Sequence, residues 1–413
     1  MADANRTGRR VVVTGMGAIT ALGLDLPTTW AALIAGGTGI APITQFDATG
    51  FPTTFAAEVR GFDPAMLGHD EGHRMDRVTQ FAVTAAREAI GTARLDASVS
   101  ERMAVLVGTA MGGVATLSEN VRILMEHGPD RVPASAVPMM LPNMTASTVA
   151  AGLGATGPVF TIASSFTGGA NAIVEGARMI ADNRADVAVA GGAEAPVCAM
   201  VSAGFAAMGA LSDRNDDPLH AVKPFDRHRN GCVLGEGSAM LVLEEYEHAL
   251  ARGVTILAEV AGTANTADAF HQVALPDDGE GLVRAMHLAM DGAKLDPHAI
   301  GYLNAHGTAT EMNDRVEAAA IHTVFGGTPP PISSTKAATG HTLGAAGALE
   351  AVIAIEALRT GILPPTRNHQ DDDPGIALDV IPNVARQSHT EAVMSASMGF
   401  GGHNTVLIFT SRE

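Results

Sequence analysis

Gly157-Pro-Val-Phe-Thr-Ile-Ala-Ser-Ser-Phe-Thr-Gly-Gly-Ala-Asn-Ala-Ile173 is the stretch around which the rest of the chain is arranged. A Gly-Pro turn opens it. Val159 to Ala163, apolar and carrying β-branched residues, reads as a buried strand. The small residues Ser164, Ser165, Thr167, Gly168 and Gly169 follow. A helical pattern then puts Ile173, Ala177 and Ile180 on one face. Strand, tight turn and helix start present one side chain at the positive end of a helix dipole. A thiol there would have a lowered pKa and be a better nucleophile. The residue at this elbow is Phe166, which has no nucleophilic atom and no titratable proton.

Strand and helix patterns alternate on both sides of this stretch. Before it, Val11–Val13 reads as a first buried strand ending in a glycine turn. Thr28–Ala35 reads as a helix capped near Thr28 or Thr29, Met75–Ala93 as a strong helix, and Met103–Val107 as a strand. Residues 37–65 read as connecting structure, residues 114–127 as a helix, residues 128–144 as a loop or cover, and Thr145–Gly152 as a short helix. After it, Ala185–Ala190 reads as a buried strand ended by Gly191-Gly-Ala-Glu194, and Ala239–Glu244 as another. A second round of strands and helices starts at Leu257 and closes with strands at Met394–Ser397 and Thr405–Phe409. The pattern predicts an α/β fold with mostly parallel, buried strands, in two halves of similar order, residues 1–255 and 256–413.

Composition agrees with a layered core. Of 413 residues, 46% are apolar, only 4% are aromatic, and 46 are glycine, so layers must pack through small and aliphatic side chains. The formal net charge of −18 disfavours nucleic acid or an anionic membrane as the main partner. Two cysteines, Cys198 and Cys232, make neither a disulfide framework nor a metal-binding spacing and suit a reducing cytosol. Met1 to Arg10 is polar, with no signal peptide, and no apolar run is long enough to span a membrane. The expected location is cytoplasmic.

The second half carries three polar strand-end loops: Leu303-Asn-Ala-His-Gly-Thr-Ala-Thr310, Ile332-Ser-Ser-Thr-Lys-Ala-Ala-Thr-Gly-His341, and Ser395-Ala-Ser-Met-Gly-Phe-Gly-Gly-His-Asn404. A single histidine near a strand end is usually a satisfied loop or core residue. Here His306, His341 and one of only three lysines, Lys336, all sit in small-residue loops. Active centres of open α/β sheets lie beyond strand C-termini, so the combination favours a site.

With these motifs, the chain resembles the elongating β-ketoacyl-acyl-carrier-protein synthases, thiolase-fold condensing enzymes of fatty-acid and type II polyketide synthesis. The resemblance runs from Val11-Val-Val-Thr-Gly-Met-Gly17 to Gly399-Phe-Gly-Gly-His-Asn404. It implies a thiolase-like fold with layers α-β-α-β-α, a dimer (homodimer or ketosynthase heterodimer), and substrates borne on the phosphopantetheine of an acyl carrier protein, with no other cofactor and no metal. It implies that His306 and His341 bind the thioester carbonyl of malonyl-carrier protein and promote decarboxylation. Lys336 would organise that pair, with Glu350 as its carboxylate partner. Thr308 and Thr310 match positions that bind the phosphopantetheine arm. Phe400 matches a gating residue whose backbone N–H would join that of residue 166 in an oxyanion hole, and Met111 matches an acyl-pocket position. Plain packing is the alternative role for Met111 and Phe400. Carrier proteins of this family are acidic, which makes His73, Arg74, Arg77, Arg227 and Arg229 the candidate docking residues.

The departure is at the nucleophile, where the family pattern places cysteine at position 166. Neither Cys198 nor Cys232 lies in a matching elbow, and Ser164 and Ser165 are not expected to substitute. Three readings follow: a synthase unable to condense, a non-condensing subunit like a chain-length factor, or a malonyl decarboxylase. Outside the family stands a carrier-binding scaffold, which leaves the polar residues unexplained.

Overall fold

The chain is described here by a computed structural model covering residues 8–68 and 72–411; the polar segment 1–7 read at the N-terminus lies outside the described residues. Ten strands form its main sheet: β1 (Val11–Thr20), β2 (Met103–Gly108), β3 (Val159–Ile162), β4 (Val187–Glu194), β5 (Gly237–Glu245), β6 (Ala258–Ala267), β7 (Tyr302–Asn304), β8 (Ile332–Ser333), β9 (Ala392–Gly399) and β10 (His403–Thr410). Their spatial order is β8-β7-β9-β10-β6-β1-β5-β4-β2-β3. Read outward from the β6–β1 junction, each arm places its own strands first, fifth, fourth, second, third. The junction is short, pairing Val12 with Glu259 and Val13 with Ala258. The expected mostly parallel sheet is corrected to a mixed one. Four neighbouring pairs are parallel and five antiparallel. Strand apolarity reports burial on both faces and says nothing about direction.

Five helices explain the layering: α1 (Arg77–Ala93), α2 (Gly168–Ala181), α3 (Glu280–Ala293), α4 (Glu311–Phe325) and α5 (Ala346–Thr360). Strand residues alternate between faces. Leu241 and Leu243 of β5 therefore join α2 and α5 in a central core with Leu407 of β10. Met240 and Val242 point the other way, to Phe81 and Ala85 of α1. In the second arm Met394 and Ile408 face α3 and α4. Helices thus cover both outer faces and fill the middle, giving α-β-α-β-α. The middle is tight because it is built from small residues. A Cβ on Gly169 would come within 2.8 Å of the Ala348 Cβ, and one on Gly347 within 2.7 Å of the Ala170 Cβ. No side chain fits at either position.

Several sequence expectations shift. β3 is not buried: it is the last strand of its arm and Phe160 is 48% exposed. A run of apolar letters does not reveal that a strand has a neighbour on one side only. β4 continues through Gly191 and Gly192 to Glu194 instead of ending there. Those glycines mark close approach, since a Cβ at Gly192 would sit 2.7 Å from the Gly344 carbonyl oxygen. The first helix is Leu26–Ile34, capped by Asp25, whose carboxylate accepts from the Thr28 N–H at 2.7 Å. Segment 37–65 contains a short antiparallel ribbon, Ile40–Pro42 with Phe55–Ala57, and segment 128–144 contains the helix Ala136–Met140. Among the described residues no helix is long and apolar enough to cross a membrane.

Candidate active site

The elbow after β3 is a tight one. Ser165 has φ of 55°, in the left-handed region that costs a non-glycine residue about 1–3 kcal/mol. Ser165–Thr167 forms a single 3-10 turn before α2 begins. Ser164 is absorbed by the turn: its carbonyl accepts from the Thr167 hydroxyl at 2.7 Å and its hydroxyl from Asn171 Nδ2 at 2.6 Å. Phe166 is 7% exposed. Its ring centroid lies 4.6 Å from that of His341, 4.7 Å from that of Phe400 and 6.4 Å from that of His306, with the last pair near parallel.

The second arm brings its polar loops to the same point. Glu317 on α4 holds the loop after β7, accepting the backbone N–H groups of His306 at 2.7 Å and Gly307 at 2.8 Å. Lys336, fully buried after β8, is ion-paired with Glu350 on α5. It also donates to the His306 carbonyl and, at 3.4 Å, to His306 Nδ1. An ammonium can only donate, so His306 Nδ1 is the acceptor and its proton sits on Nε2. His341 Nδ1 accepts from the Leu343 N–H at 3.3 Å, which places the His341 proton on Nε2 as well. That buried Nε2 has no hydrogen-bond partner among the described residues. The two rings are 5.3 Å apart, edge to face.

Burial, and secondly the Lys336 charge, hold both imidazoles well below the ordinary histidine pKa. Both are therefore neutral N–H donors at pH 7. Burial raises Glu350 and Glu317 to about 7, with Lys336 opposing the rise in both cases.

The rings face a cavity of about 280 Å³ lined by Phe166, Phe400, His306, His341, Thr308 and Thr310, among others. The hydroxyls of Thr308 and Thr310 are 2.8 Å apart. Gly399 brings the β9–β10 hairpin against the elbow, for a Cβ there would lie 3.1 Å from the Phe166 backbone nitrogen. Of the expected set, Lys336, Glu350 and Met111 lie outside the cavity lining: the first two stand behind His306, and Met111 lies elsewhere. It packs in the apolar cluster that also holds Phe166.

Two further sequence expectations are corrected. Arg77 is not a free cation: it pairs with buried Glu236 at 2.9 Å and lies over the Phe81 ring. Arg229 is buried against Asp373 at 2.6 Å. His73, Arg74 and Arg227 are exposed. Helix periodicity marks a position as inward or outward, but not which inward carboxylate will meet an arginine.

Glu317 and Glu194 escaped the sequence reading as site residues, and Cys232, rejected there as a nucleophile, turns out to line the cavity. Glu317 was legible only as an acid on a helix face that turns out to be buried. Glu194, at the end of β4, accepts from the Thr109 hydroxyl at 2.9 Å, the Met111 N–H at 3.2 Å and the Gly344 N–H at 2.9 Å, tying the arms together. Cys232 lines the cavity, yet burial pushes its thiol up to about 12 and its Sγ donates to the Ala210 carbonyl. A thiol held protonated is a poor nucleophile. Cys198, at the start of the Ala199–Ala207 helix, is raised by burial too. Among the described residues, no group of three or more His, Cys, Asp or Glu side chains is arranged to hold a metal.

A five-layer α/β protein with a histidine pair and a buried lysine at the junction of two like arms is a thiolase-like condensing-enzyme scaffold. The chain belongs to the β-ketoacyl synthase family: residues 8–249 match the beta-ketoacyl synthase N-terminal domain and residues 257–370 the C-terminal domain. It is 43% identical over 411 residues to 3-oxoacyl-[acyl-carrier-protein] synthase 2 of Synechocystis sp., covering 98% of this chain and 99% of the relative. A chain of the ishigamide ketosynthase/chain length factor structure superposes with a TM-score of 0.93 at 36% identity, covering 98% of this chain and 100% of that one. A chain of a type II PKS acyl-carrier protein in complex with its ketosynthase gives 0.91 at 32% identity, with the same coverage.

Proposed function

We propose that this chain receives a malonyl-type thioester on the phosphopantetheine of an acyl carrier protein, decarboxylates it, and does not complete condensation by itself. One observation carries the reading: two neutral imidazoles beside one cavity, each with its proton on Nε2, and one of those N–H groups buried without a partner. Such an arrangement is preorganised for an oxyanion. The carbonyl oxygen of the thioester accepts both N–H bonds. The bond from Cα to the carboxylate carbon breaks, carbon dioxide leaves, and its electron pair becomes the enolate, whose charge rests on that oxygen. With no acyl-enzyme to attack, Cα takes a proton from water and an acetyl thioester results.

Thr308 and Thr310, with their hydroxyls in the lining, are assigned to the phosphopantetheine arm. Lys336 and Glu350 hold the His306 loop. Phe166 stands where acyl transfer would need a thiol, and Cys232 is held protonated away from the elbow.

A second reading, a non-condensing subunit paired with an active ketosynthase, draws on the likeness to a ketosynthase/chain length factor structure. The helix Val114–His127 has no buried residue and exposes Leu117, Val121, Leu124 and Met125, while Phe160 is exposed on the free edge of β3. These are surfaces that a second subunit, identical or not, would cover.

Incubating the chain with malonyl-carrier protein and measuring carbon dioxide tests the first reading, together with intact-mass analysis after exposure to an acyl-carrier donor. Release of carbon dioxide with no acyl adduct is expected. An adduct on any cavity residue, or no carbon dioxide at all, would count against it.

A further inference from the structure

We infer that Phe166 sets the acyl length this site accepts: its ring plugs the space an acyl chain would need and restricts the site to short, malonyl-type thioesters. The inference rests on the reading above that the cavity takes a carrier-bound thioester.

The ring lies on a boundary. One side looks into the 280 Å³ cavity with the two histidines and the two threonines. The other side is packed into an apolar cluster with Val197, Val201, Phe205, Leu211 and Leu343, edged by Met111, Phe46 and Val114. Phe205 also lines the cavity, as do Cys232, Ala210 and Phe400 of the same cluster, while the others just named do not. Phe166 therefore lies between the cavity and apolar residues that do not line it. At about 280 Å³ the open part falls just below the usual range for small-molecule pockets, roughly 300–1,000 Å³, and a pantetheine arm must share it.

The plug is held on two sides. The centroids of His341 and Phe400, at 4.6 Å and 4.7 Å, fall within the spacing aromatic pairs prefer. Swinging the ring aside to admit a chain would forfeit both contacts and move the hairpin that carries Phe400. Deleting it would open apolar side chains of that cluster to the cavity, beside the two imidazoles.

The test uses pantetheine analogues in which an amide replaces the thioester, one malonyl and one octanoyl, titrated calorimetrically into the full-length protein and into F166G. The parent should favour the malonyl probe by about tenfold or more, and in F166G octanoyl should gain about tenfold or more relative to malonyl. Equal affinity of the parent for both probes, or a preference between them that F166G leaves unchanged while malonyl still binds, would overturn the plug and leave the thioester reading intact. Failure of both probes to bind the parent would sink the thioester reading and the plug with it. Should F166G not fold, F166L opens part of the same space and must shift the preference in the same direction; an unchanged preference there overturns the inference as well.

Discussion

The third strand of each arm leads into a central helix, β3 into α2 and β8 into α5. After β3 the turn carries Phe166, a ring packed among rings. After β8 the loop carries Lys336, an ammonium sealed against Glu350 and the His306 carbonyl. Phe166 lines the cavity and Lys336 sits behind His306 in its wall, so one end is apolar and the other charged. Burying an ion pair costs several kcal/mol of desolvation per ion, which its own attraction does not reliably return. Packing alone would be served better by aliphatic residues at both ends. A second arm that keeps a buried lysine, its carboxylate and two neutral imidazoles is arranged for chemistry. The first arm, with phenylalanine at its elbow, has the geometry of an activation site without a thiol at position 166.

Making the arms alike in function gives the largest expected effect. Phe166→Cys places a thiol at the elbow, and intact-mass analysis should show a stoichiometric acyl adduct where the parent shows none. Condensation should rise by about 10⁴-fold or more, since losing a nucleophile costs other enzymes at least that much. If the variant acylates but condensation appears only with a partner ketosynthase, the subunit reading gains.

Removing the charge from the second arm should come next. Lys336→Ala leaves Glu350 and the His306 carbonyl buried without their donor, a loss of about 3–5 kcal/mol in stability by denaturant titration. Lys336→Met should cost no more than that, because its chain still fills the space. A loss below 1 kcal/mol for the alanine variant, roughly the range of a surface pair, would show that the pair is not sealed from water as the geometry has it.

Each imidazole can then be tested alone. His306→Ala or His341→Ala should lower carbon dioxide release by about 10²–10³-fold, the usual cost of one oxyanion donor. Unchanged release in either variant would remove that ring from the mechanism and favour a carrier-binding scaffold.

The smallest effect is a predicted absence. Both histidine pKa values are depressed in the folded chain, so lowering the pH from 8 to 6.5 protonates neither ring. Carbon dioxide release should not fall through that range on their account. The loss due to the rings themselves should come well below 6.5, where a proton forced onto Nδ1 would face the Lys336 ammonium in one ring and the Leu343 N–H in the other, while any change near 7 belongs to Glu350 and Glu317. A midpoint near 6.5 would mean that the rings are open to water.

Much of this site was legible because its residues sit next to strand ends in small-residue loops. His306, Lys336 and His341 follow that rule, whereas Thr308, Thr310 and Glu350 came from the resemblance to the ketosynthases. Glu317 and Glu194 were not legible. Their role is to accept backbone N–H groups from segments distant in the chain, and no local pattern records which loop a buried carboxylate will meet. Arg77 and Arg229 failed as docking candidates for the same reason, since their partners Glu236 and Asp373 lie 159 and 144 positions away.

The amino-acid order alone determined the alternation of strands and helices, the doubled arrangement, and the identity of the side chain at the elbow. Those depend on short-range periodicity, turn chemistry and the presence or absence of a sulfur atom at position 166. Only the tertiary structure decided that the sheet is mixed, that β3 is an edge, that Glu194 and Glu317 hold the loops, and that Phe166 shares a cavity with His306 and His341. Strand direction, edges and enclosure arise when distant segments pack together, and the free energy of that packing is written in no single stretch of the chain.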